Sequence, residues 1–316
     1  MTLIKKPSEI NKDIKLKILV YGEPGTGKTT LALSSPNPLL IDFDNGLHRV
    51  SKQYQTDSVQ VESYQNLLDI LTKEDISDYK TIVIDTLGKM VDRIGDWLAL
   101  SNPKVKQSDG QLSMKGWGNV KAEFQKLLKL LDNKNKSVIF VAHAREEKDG
   151  DLTKQRPDVS GSSGKDIVKE LDCMGFVSMV GNKRTIDLMP NEKYYAKNSL
   201  GLESFLEFKP IVSKNDFLTK DIFEAYAKKQ ERDNEISQEY NNLISAIDES
   251  IDKLENVEQV NEYYSNQYQK KENIWSSHIH EKHKLSEKVK ELDLVFNKKE
   301  KIFEAKEEIK EEKAND

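Results

Sequence analysis

A single segment, residues 17–35, constrains the fold of this chain more than any other part of the sequence. It reads KILVYGEPGTGKTTLALSS, an apolar run followed by a turn with three glycines and then by Lys28, Thr29 and Thr30. The part from Gly22 to Thr29 matches the pattern G-x-x-x-x-G-K-[ST], and it lies between a predicted buried strand and a helix predicted to begin near Thr30. In that position the pattern predicts a loop that binds phosphate groups.

The residue types in this loop indicate how phosphate would be held. Glycines allow successive backbone N–H groups to turn toward phosphate oxygens, and the helix that follows adds its positive N-terminal end. We expect Lys28 to reach the β- and γ-phosphates of a nucleotide and to serve catalysis, and the Thr29 hydroxyl to ligate Mg²⁺. The predicted nucleotide-binding residues are Gly22, Glu23, Pro24, Gly25, Thr26, Gly27, Lys28, Thr29 and Thr30.

A second metal ligand is predicted at Asp85, which ends the apolar run IVID. A phosphate loop needs a carboxylate from another strand to hold the water shell of Mg²⁺. Asp85 also begins DTLG, which fits the D-x-x-G pattern of GTPases. Guanine recognition would need Asn-Lys-x-Asp, and neither NKNK at Asn133 nor NKRT at Asn182 has the aspartate. The sequence therefore favours ATP, with Mg²⁺, as the bound nucleotide.

Apolar runs that are typical of buried strands alternate with helical patterns from Ile18 to about Leu188. The runs are KILVYG, PLLIDFD, TIVIDT, SVIFVAH, GFVSMV and RTIDLM, and the clearest helical pattern is VKAEFQKLLKLLDN, residues 120–133. Short continuous runs rich in Ile and Val are typical of a parallel sheet that is covered on both faces. The alternation predicts an α/β fold with a mainly parallel sheet.

The pattern changes beyond Thr219, and we predict a core of residues 1–232 followed by an α-helical tail of residues 233–316. Apolar residues recur in the tail at three- and four-residue steps over residues 236–254 and 285–296, which is typical of a helical hairpin or a coiled coil. The tail holds 21 acidic and 13 basic residues in a chain of net charge -5, so the acidity belongs to the tail. Its last residues are charged enough to predict fraying or disorder.

Composition excludes several classes of protein. No apolar run is long enough to cross a membrane, and the first residues, MTLIKKPSEINKD, lack the apolar core of a secretory signal. We therefore expect no membrane partner and a cytoplasmic location. The single cysteine, Cys173, cannot form an internal disulfide and is predicted to be a small core residue.

The second predicted strand ends in LLIDFDNGL, which puts Asp42 and Asp44 close to the phosphate loop. Together with the loop and the runs IVIDT and VIFVAH, this acidic element resembles the core of RecA recombinases. More narrowly, it resembles the phage RecA-like P-loop ATPases grouped with Sak-type single-strand annealing proteins, as do GWG at residues 116–118 and YYAKNSLGLE at residues 194–203. The resemblance covers roughly residues 15–223 and does not cover the tail.

The resemblance implies further roles in catalysis and assembly. It makes Asp44 the counterpart of the glutamate that activates water in RecA-like ATPases, with Asp42 either the next candidate or a carboxylate that binds loop N–H groups. It puts His143 where the family senses the γ-phosphate, although capping of a strand end is an equal interpretation. It also implies a homo-oligomer, in which Lys197 or Lys165 would replace the arginine that the family shows where Ser199 stands.

RecA-like proteins hold single-stranded DNA on two loops at the carboxyl edge of the sheet, and these correspond here to residues 101–118 and 144–165. The lysines and the arginine of these loops would contact phosphates, and the tryptophan either stacks on a base or caps the core. The DNA-binding residues that the resemblance implies are Lys104, Lys106, Lys115, Trp117, Lys154 and Arg156.

These patterns predict an ATPase, stimulated by DNA, that binds single-stranded DNA and promotes annealing or strand exchange in phage-type recombination. Its location would be the host cytoplasm if it is phage-encoded, and a single-strand-binding protein is a further expected partner. The alternative is a nucleotide-gated assembly or regulatory ATPase that acts through its helical tail rather than on DNA. The tail would self-associate or dock a partner helix, or else fold over the DNA loops and inhibit them.

Overall fold

The computed structural model describes residues 15–108, 110–150, 152–161, 163–209, 214–268 and 275–306, apart from the side chains at positions 149, 165 and 275. The chain divides into two compact units, Met1–Lys229 and Gln230–Asp316. This division lies three residues before the predicted boundary between residues 232 and 233.

Within the described residues, the first unit contains a sheet of ten strands. The strands are β1 (Lys17–Gly22), β2 (Pro38–Asp42), β3 (Ser58–Gln60), β4 (Thr81–Asp85), β5 (Ser137–Asp149), β6 (Leu152–Pro157), β7 (Cys173–Val180), β8 (Lys183–Asp187), β9 (Lys197–Asn198) and β10 (Phe205–Phe208). Their order is β10-β8-β7-β1-β5-β4-β2-β3, with β6 paired to β5 and β9 paired to β7.

The six strands from β7 to β3 in this order are parallel, and β6, β8, β9 and β10 pair antiparallel. The prediction of an α/β fold with a mainly parallel sheet is therefore confirmed. All six apolar runs of the sequence form strands of this sheet. β1 lies at its centre, between β5 and β7, so the phosphate loop leaves the sheet among parallel strand ends.

Helices cover both faces of the sheet. In chain order they are α1 (Lys28–Ala32), α2 (Tyr64–Lys73), α3 (Leu87–Ser101), α4 (Met114–Asn133) and α5 (Ser163–Glu170). Leu19 of β1 packs in one core with α2, α3 and α4, and its neighbour Val20 packs in a second core with α1. Successive side chains of a strand point to opposite faces, so a strand that is covered on both sides must be apolar throughout.

Helix α4 begins earlier than the sequence pattern predicts. Its first residue is Met114, and the Ser113 hydroxyl caps it by accepting a hydrogen bond of 3.1 Å from the Gly116 N–H. The GWG segment therefore lies inside the helix, and Lys115 and Trp117 are helical rather than part of a loop. Gly116 is required because a Cβ atom there would lie 2.6 Å from the Val105 carbonyl oxygen.

The second predicted DNA loop is also mostly regular structure. β5 continues past His143 to Asp149 and pairs with β6 in an antiparallel hairpin. Lys154 and Arg156 are therefore residues of a strand, which corrects their prediction as loop residues. The hairpin is rich in charged residues, so it lacks the apolar alternation by which a strand is recognised in a sequence.

The second unit is formed by most of α6 (Ala225–Asp252), by α7 (Val257–Tyr263) and α8 (Trp275–Glu291), and by a hairpin of β11 (Leu294–Asn297) and β12 (Ile302–Ala305). The prediction of a helical tail is confirmed. However, the apolar pattern over residues 285–296, which was predicted to be helical, ends in strand β11. The residues that form its small core are Ile247, Ile251, Leu254, Val260, Tyr263, Leu285, Leu294 and Phe303.

This core changes the argument for self-association of the tail. In the apolar pattern over residues 236–254, Ile247, Ile251 and Leu254 are buried inside the unit itself, whereas Ile236 is 51% exposed. The second half of this pattern therefore needs no partner helix to cover it. Fraying or disorder was predicted for residues 298–316, but Ile302–Ala305 of this stretch form β12, and the rest of it from residue 307 lies outside the described residues.

Two further features are the surroundings of the single cysteine and the apolar character of the helices. Cys173 is buried in the core as predicted, and its burial raises the pKa of the thiol to about 12. Among the helices that the structure describes, none is long and apolar enough to span a membrane.

The first glycine of the phosphate loop is also a packing residue. A Cβ atom at Gly22 would lie 2.1 Å from the Val177 carbonyl oxygen of β7, whereas one at Gly118 would meet nothing within 4 Å. We expect Gly22→Ala to lower the free energy of unfolding by about 1–3 kcal/mol through overpacking. The matched Gly118→Ala change should raise it by about 0.5–1 kcal/mol by improving helix propensity. Chemical denaturation measures both, and equal effects would contradict the packing argument.

Candidate nucleotide-binding site

The phosphate loop connects the end of β1 to α1. Gly25 and Gly27 have φ angles of 80° and 91°, in the left-handed region that glycine adopts without strain. The Thr26 hydroxyl donates to the Glu23 carbonyl oxygen at 2.9 Å, and the Lys28 ammonium donates to the same oxygen at 2.7 Å. The loop thus has the backbone conformation that the sequence pattern requires.

Lys28 lies at the base of this loop and is only 6% exposed. Burial lowers the pKa of its ammonium, and the charges of Asp85 and Glu23 oppose that shift. A buried ammonium with few acidic partners is suited to a ligand that brings negative charge.

Thr29 and Asp85 meet although they come from different parts of the sheet. The Thr29 hydroxyl donates to the Asp85 carboxylate at 2.6 Å. Asp85 is 6% exposed, and burial raises its pKa to about 6, against the lowering effect of the hydrogen bond from Thr29. Hydroxyl and carboxylate oxygens are donors that Mg²⁺ prefers, so the residues present fit the predicted metal.

The two aspartates at the end of β2, Asp42 and Asp44, have different surroundings. The Asp42 carboxylate is buried and accepts three backbone N–H groups, from Asp44 at 2.9 Å, Gly46 at 2.8 Å and Leu47 at 3.0 Å. Asp42 therefore holds the turn after β2, which is the loop-binding interpretation of this residue.

Asp44 faces the cavity beside the phosphate loop. Arg49 donates to one of its carboxylate oxygens at 3.0 Å, and Lys89 forms an ion pair with the other. Burial raises the pKa of Asp44, but Lys89 and Arg49 outweigh that effect and hold the pKa below its ordinary value. Asp44 is thus an ionised acceptor at neutral pH.

His143 is level with Gly22 in the pairing of β1 and β5, two residues beyond Val141. The side chains of Val141 and His143 both line the cavity beside the phosphate loop, because alternate residues of a strand point the same way. Burial, followed by the charge of Lys28, lowers the pKa of His143, so its ring is neutral at neutral pH. Its Nδ1 atom is shielded and finds no hydrogen-bond partner among the described residues.

These groups surround one cavity of about 500 Å³. It brings together the phosphate loop, Asp85, Asp44 and His143, which the sequence analysis had placed at one site. The cavity is also lined by residues that the sequence analysis did not single out, among them Arg49, Gln53, Tyr54 and Arg184. Arg49 follows Asp44 closely in the sequence, but Arg184 comes from β8 and no local pattern indicates it.

The six predicted DNA-binding residues fall into two groups. Lys104, Lys106 and Lys115 are exposed and form no ion pair with the part of the chain that the structure describes. The Arg156 Nε atom lies 2.9 Å from a Glu147 carboxylate oxygen, and its guanidinium stacks 4.1 Å from the centre of the Tyr195 ring.

The remaining two residues of this set lie against neighbouring side chains or backbone. The Lys154 ammonium lies 5.3 Å from the centre of the Tyr195 ring. The Trp117 ring packs against Gly161, where a Cβ atom would lie 2.9 Å from it, and 36% of the side chain is exposed. Trp117 thus packs helix α4 against the segment after β6.

Of the two lysines considered as inter-subunit cations, Lys197 is engaged within its own chain. Its ammonium donates to the carbonyl oxygens of Val168 and Leu171 at the carboxyl end of α5. The side chain of Lys165 lies outside the described residues.

A comparison with family models identifies the domain. A family model described as an AAA domain matches residues 14–200, more than half of the chain. The chain belongs to this AAA-domain family. The prediction of an α/β P-loop NTPase fold with an ATPase site is thereby confirmed at the level of the family. A search of curated proteins gave no match.

Two aspartates of this AAA-domain ATPase, two residues apart, allow a matched test. Asp44→Asn should leave nucleotide affinity nearly unchanged and lower the hydrolysis rate by roughly 100-fold or more, because an amide cannot orient and polarise water as a carboxylate does. Asp42→Asn should instead lower the free energy of unfolding by about 1–3 kcal/mol, because one amide oxygen cannot accept three N–H groups.

Phosphate release and thermal unfolding measure the two effects. An Asp44→Asn variant that hydrolyses ATP at the wild-type rate would assign the water-activating role to another residue.

Proposed function

We propose that this AAA-domain ATPase hydrolyses ATP with Mg²⁺ and that the bound nucleotide controls its affinity for single-stranded DNA. By binding DNA in this way, the protein would promote annealing or strand exchange. One observation carries the proposal. Strand β5 lines the nucleotide cavity with Val141 and His143 and then continues as the hairpin that holds Lys154 and Arg156. One β-strand, β5, thus connects the nucleotide cavity to the proposed DNA surface.

In the nucleotide site, the chain supplies charge and oxygen donors at separate positions. The loop N–H groups and Lys28 would bind the phosphate chain, while Thr29 and Asp85 would hold the metal. When bound, Mg²⁺ neutralises charge that develops on the transferred phosphoryl oxygens.

Asp44 would orient the attacking water. Its two oxygens accept from Arg49 and Lys89, but a carboxylate has about four acceptor positions, so a water can still be held. Its lowered pKa makes it a weak base, which favours orientation of water over early removal of a proton. The Arg49 and Lys89 pairs also restrict the side chain to one position.

The segment after β6 offers a route from the nucleotide to the hairpin. The Asp158 N–H donates to the His143 carbonyl oxygen at 2.8 Å, and the Ser160 hydroxyl donates to Asp92 of α3 at 2.8 Å. Helix α3 begins two residues after Asp85. A change at the γ-phosphate could therefore move the base of the hairpin and the start of α3 together, as in other switch segments.

For DNA, residues 101–118, which were predicted as the first loop and include the start of α4, have the most available charge. Lys104, Lys106 and Lys115 are exposed without ion pairs in the described structure, so phosphate binding would not require breaking an existing pair. The hairpin is mixed in charge, because Glu146 and Glu147 of β5 lie opposite Gln155 and Lys154 of β6. We infer that the lysines supply affinity and that the hairpin responds to the nucleotide.

The resemblance to phage RecA-like ATPases supports a homo-oligomer and a single-strand-binding partner as further parts of this proposal. The alternative, a nucleotide-gated assembly or regulatory ATPase, would use the C-terminal unit, which has a core of its own. The two functions differ in whether DNA changes ATP turnover.

We expect single-stranded DNA to raise the rate of ATP hydrolysis, and its affinity to fall steeply with salt. Replacing Lys104, Lys106 and Lys115 together by Gln should weaken binding and reduce the slope of log affinity against log salt by about 2. The control changes Lys73, Lys126 and Lys209 to Gln, which removes the same charge elsewhere on the unit.

Fluorescence anisotropy of a labelled oligonucleotide measures both variants. A rate of hydrolysis that DNA leaves unchanged, with no DNA binding, would favour the assembly or regulatory function. Equal losses in the two triple variants would contradict a site on the first loop.

A second prediction concerns the link through His143. In the wild-type protein, DNA affinity should be higher with a non-hydrolysable ATP analogue than with ADP. His143→Ala should remove that difference, because the ring is the group proposed to sense the γ-phosphate. His48→Ala, a change at an exposed histidine of the segment Leu47–Arg49, should preserve it. If His143→Ala keeps the full difference, the histidine only caps its strand.

A further inference from the structure

Arg184 and Asp85 reach the phosphate loop from strands that lie on opposite sides of β1 in the strand order. β1 lies between β7 and β5, with β8 beyond β7 and β4 beyond β5. Arg184 belongs to β8, and Ile186, two residues on, packs in the core with α1. Alternate residues of a strand share a face, so Arg184 lies on the face that carries the start of α1.

The side chain of Arg184 lies directly on the loop. A Cβ atom at Gly27 would be 2.9 Å from Arg184 Nε, 3.1 Å from Cδ and 3.9 Å from Cζ. Gly27 has a φ of 91°, a conformation that favours glycine, and the arginine occupies the space beside its Cα atom. The arginine also lines the nucleotide cavity together with Lys28 and Thr29.

Arg184 has no ionic partner among the described residues, and its Nε atom is shielded from solvent without a hydrogen bond there. A guanidinium carries five N–H donors and stays charged, and a shielded N–H donor without an acceptor, such as this Nε, is costly. The neighbouring Lys183, in contrast, pairs with Glu207 at 2.7 Å. The guanidinium of Arg184 lines the cavity beside the phosphate loop, where an anion is proposed to bind.

We propose that Arg184 binds a phosphate group that ATP and ADP share, acting in the same chain as the phosphate loop. The inference rests on the proposed nucleotide function and adds a residue to it. A guanidinium matches a phosphate with two parallel hydrogen bonds, which an ammonium such as that of Lys28 cannot form.

The position of Arg184 explains why it should not distinguish ATP from ADP. Asp44, Asp85 and His143 reach the cavity from the β5 and β4 side, where hydrolysis is proposed, whereas Arg184 reaches it from the β8 side. Its backbone is held between two strands, opposite Met179 of β7 and Phe208 of β10. The position from which the side chain starts is therefore fixed by the sheet, as a binding residue on a rigid element requires.

The test is equilibrium binding by titration calorimetry on the full chain, with ADP and a non-hydrolysable ATP analogue. Arg184→Gln should weaken both nucleotides by the same factor, about 10- to 100-fold, as expected for loss of a charge-assisted pair. Arg184→Lys should recover part of the loss. Lys183→Gln removes an equal charge from the opposite face of β8 and should change neither affinity by more than about twofold.

Inorganic tripolyphosphate, used as a competitor, separates a phosphate contact from a contact with the base. Its affinity should fall in Arg184→Gln by the same factor as that of ADP. An unchanged tripolyphosphate affinity, or an Arg184→Gln variant that is folded and binds ADP as the wild type does, would overturn the assignment. A wild-type protein that binds no nucleotide would instead refute the proposed function itself, so the two failures are distinguishable.

Discussion

The hydrogen bond between Thr29 and Asp85 depends on the order of three strands. Asp85 ends β4 and Thr29 follows β1, and β5 lies between them. Adjacent strands are about 4.8 Å apart, so the two strand ends are roughly 10 Å apart and the loop must cross the end of β5 to close the gap. Val141 of β5 is level with both Asp85 and Val20, and it lines the cavity below this crossing.

The same register fixes the other polar groups of the site. A shift of one residue in the pairing of β5 would turn His143 away from the cavity and move a neighbouring side chain into it. The apolar packing of both sheet faces opposes such a shift, because every buried residue of the strand would change sides. The hydrophobic core therefore sets the geometry of the polar groups at the site.

Much of this arrangement could be predicted from the sequence, because its signals are local. The phosphate loop is a continuous pattern, and Asp85 and His143 end apolar runs that the parallel alignment of β4 and β5 brings to the same part of the sheet. The hairpin of β5 and β6 could not be predicted, since charged strands carry no apolar alternation. The short strands after Glu291 were hidden for another reason: their apolar residues continue a helical spacing, and only packing in the small core selects the strand.

Arg184 shows a further limit. Its contact with Gly27 joins residues 157 positions apart, and it depends on a β7–β8 turn that places β8 two strands from the loop. No spacing rule connects such residues. The role of Asp42, in contrast, was among the interpretations open from sequence, and three N–H groups on one carboxylate select the structural one.

The burial of Cys173 has a practical consequence for studying the movement proposed for the hairpin of β5 and β6. The chain has no other cysteine, and this thiol is enclosed at the start of β7 with its pKa raised to about 12, so it holds almost no thiolate at neutral pH. The natural sequence is therefore nearly inert toward maleimides and other thiol reagents. A cysteine introduced at the turn of the charged hairpin, or beside Lys104, would be labelled selectively without first removing a native one. Fluorophores or spin labels at these two positions could then report the distance between the hairpin and the first loop directly.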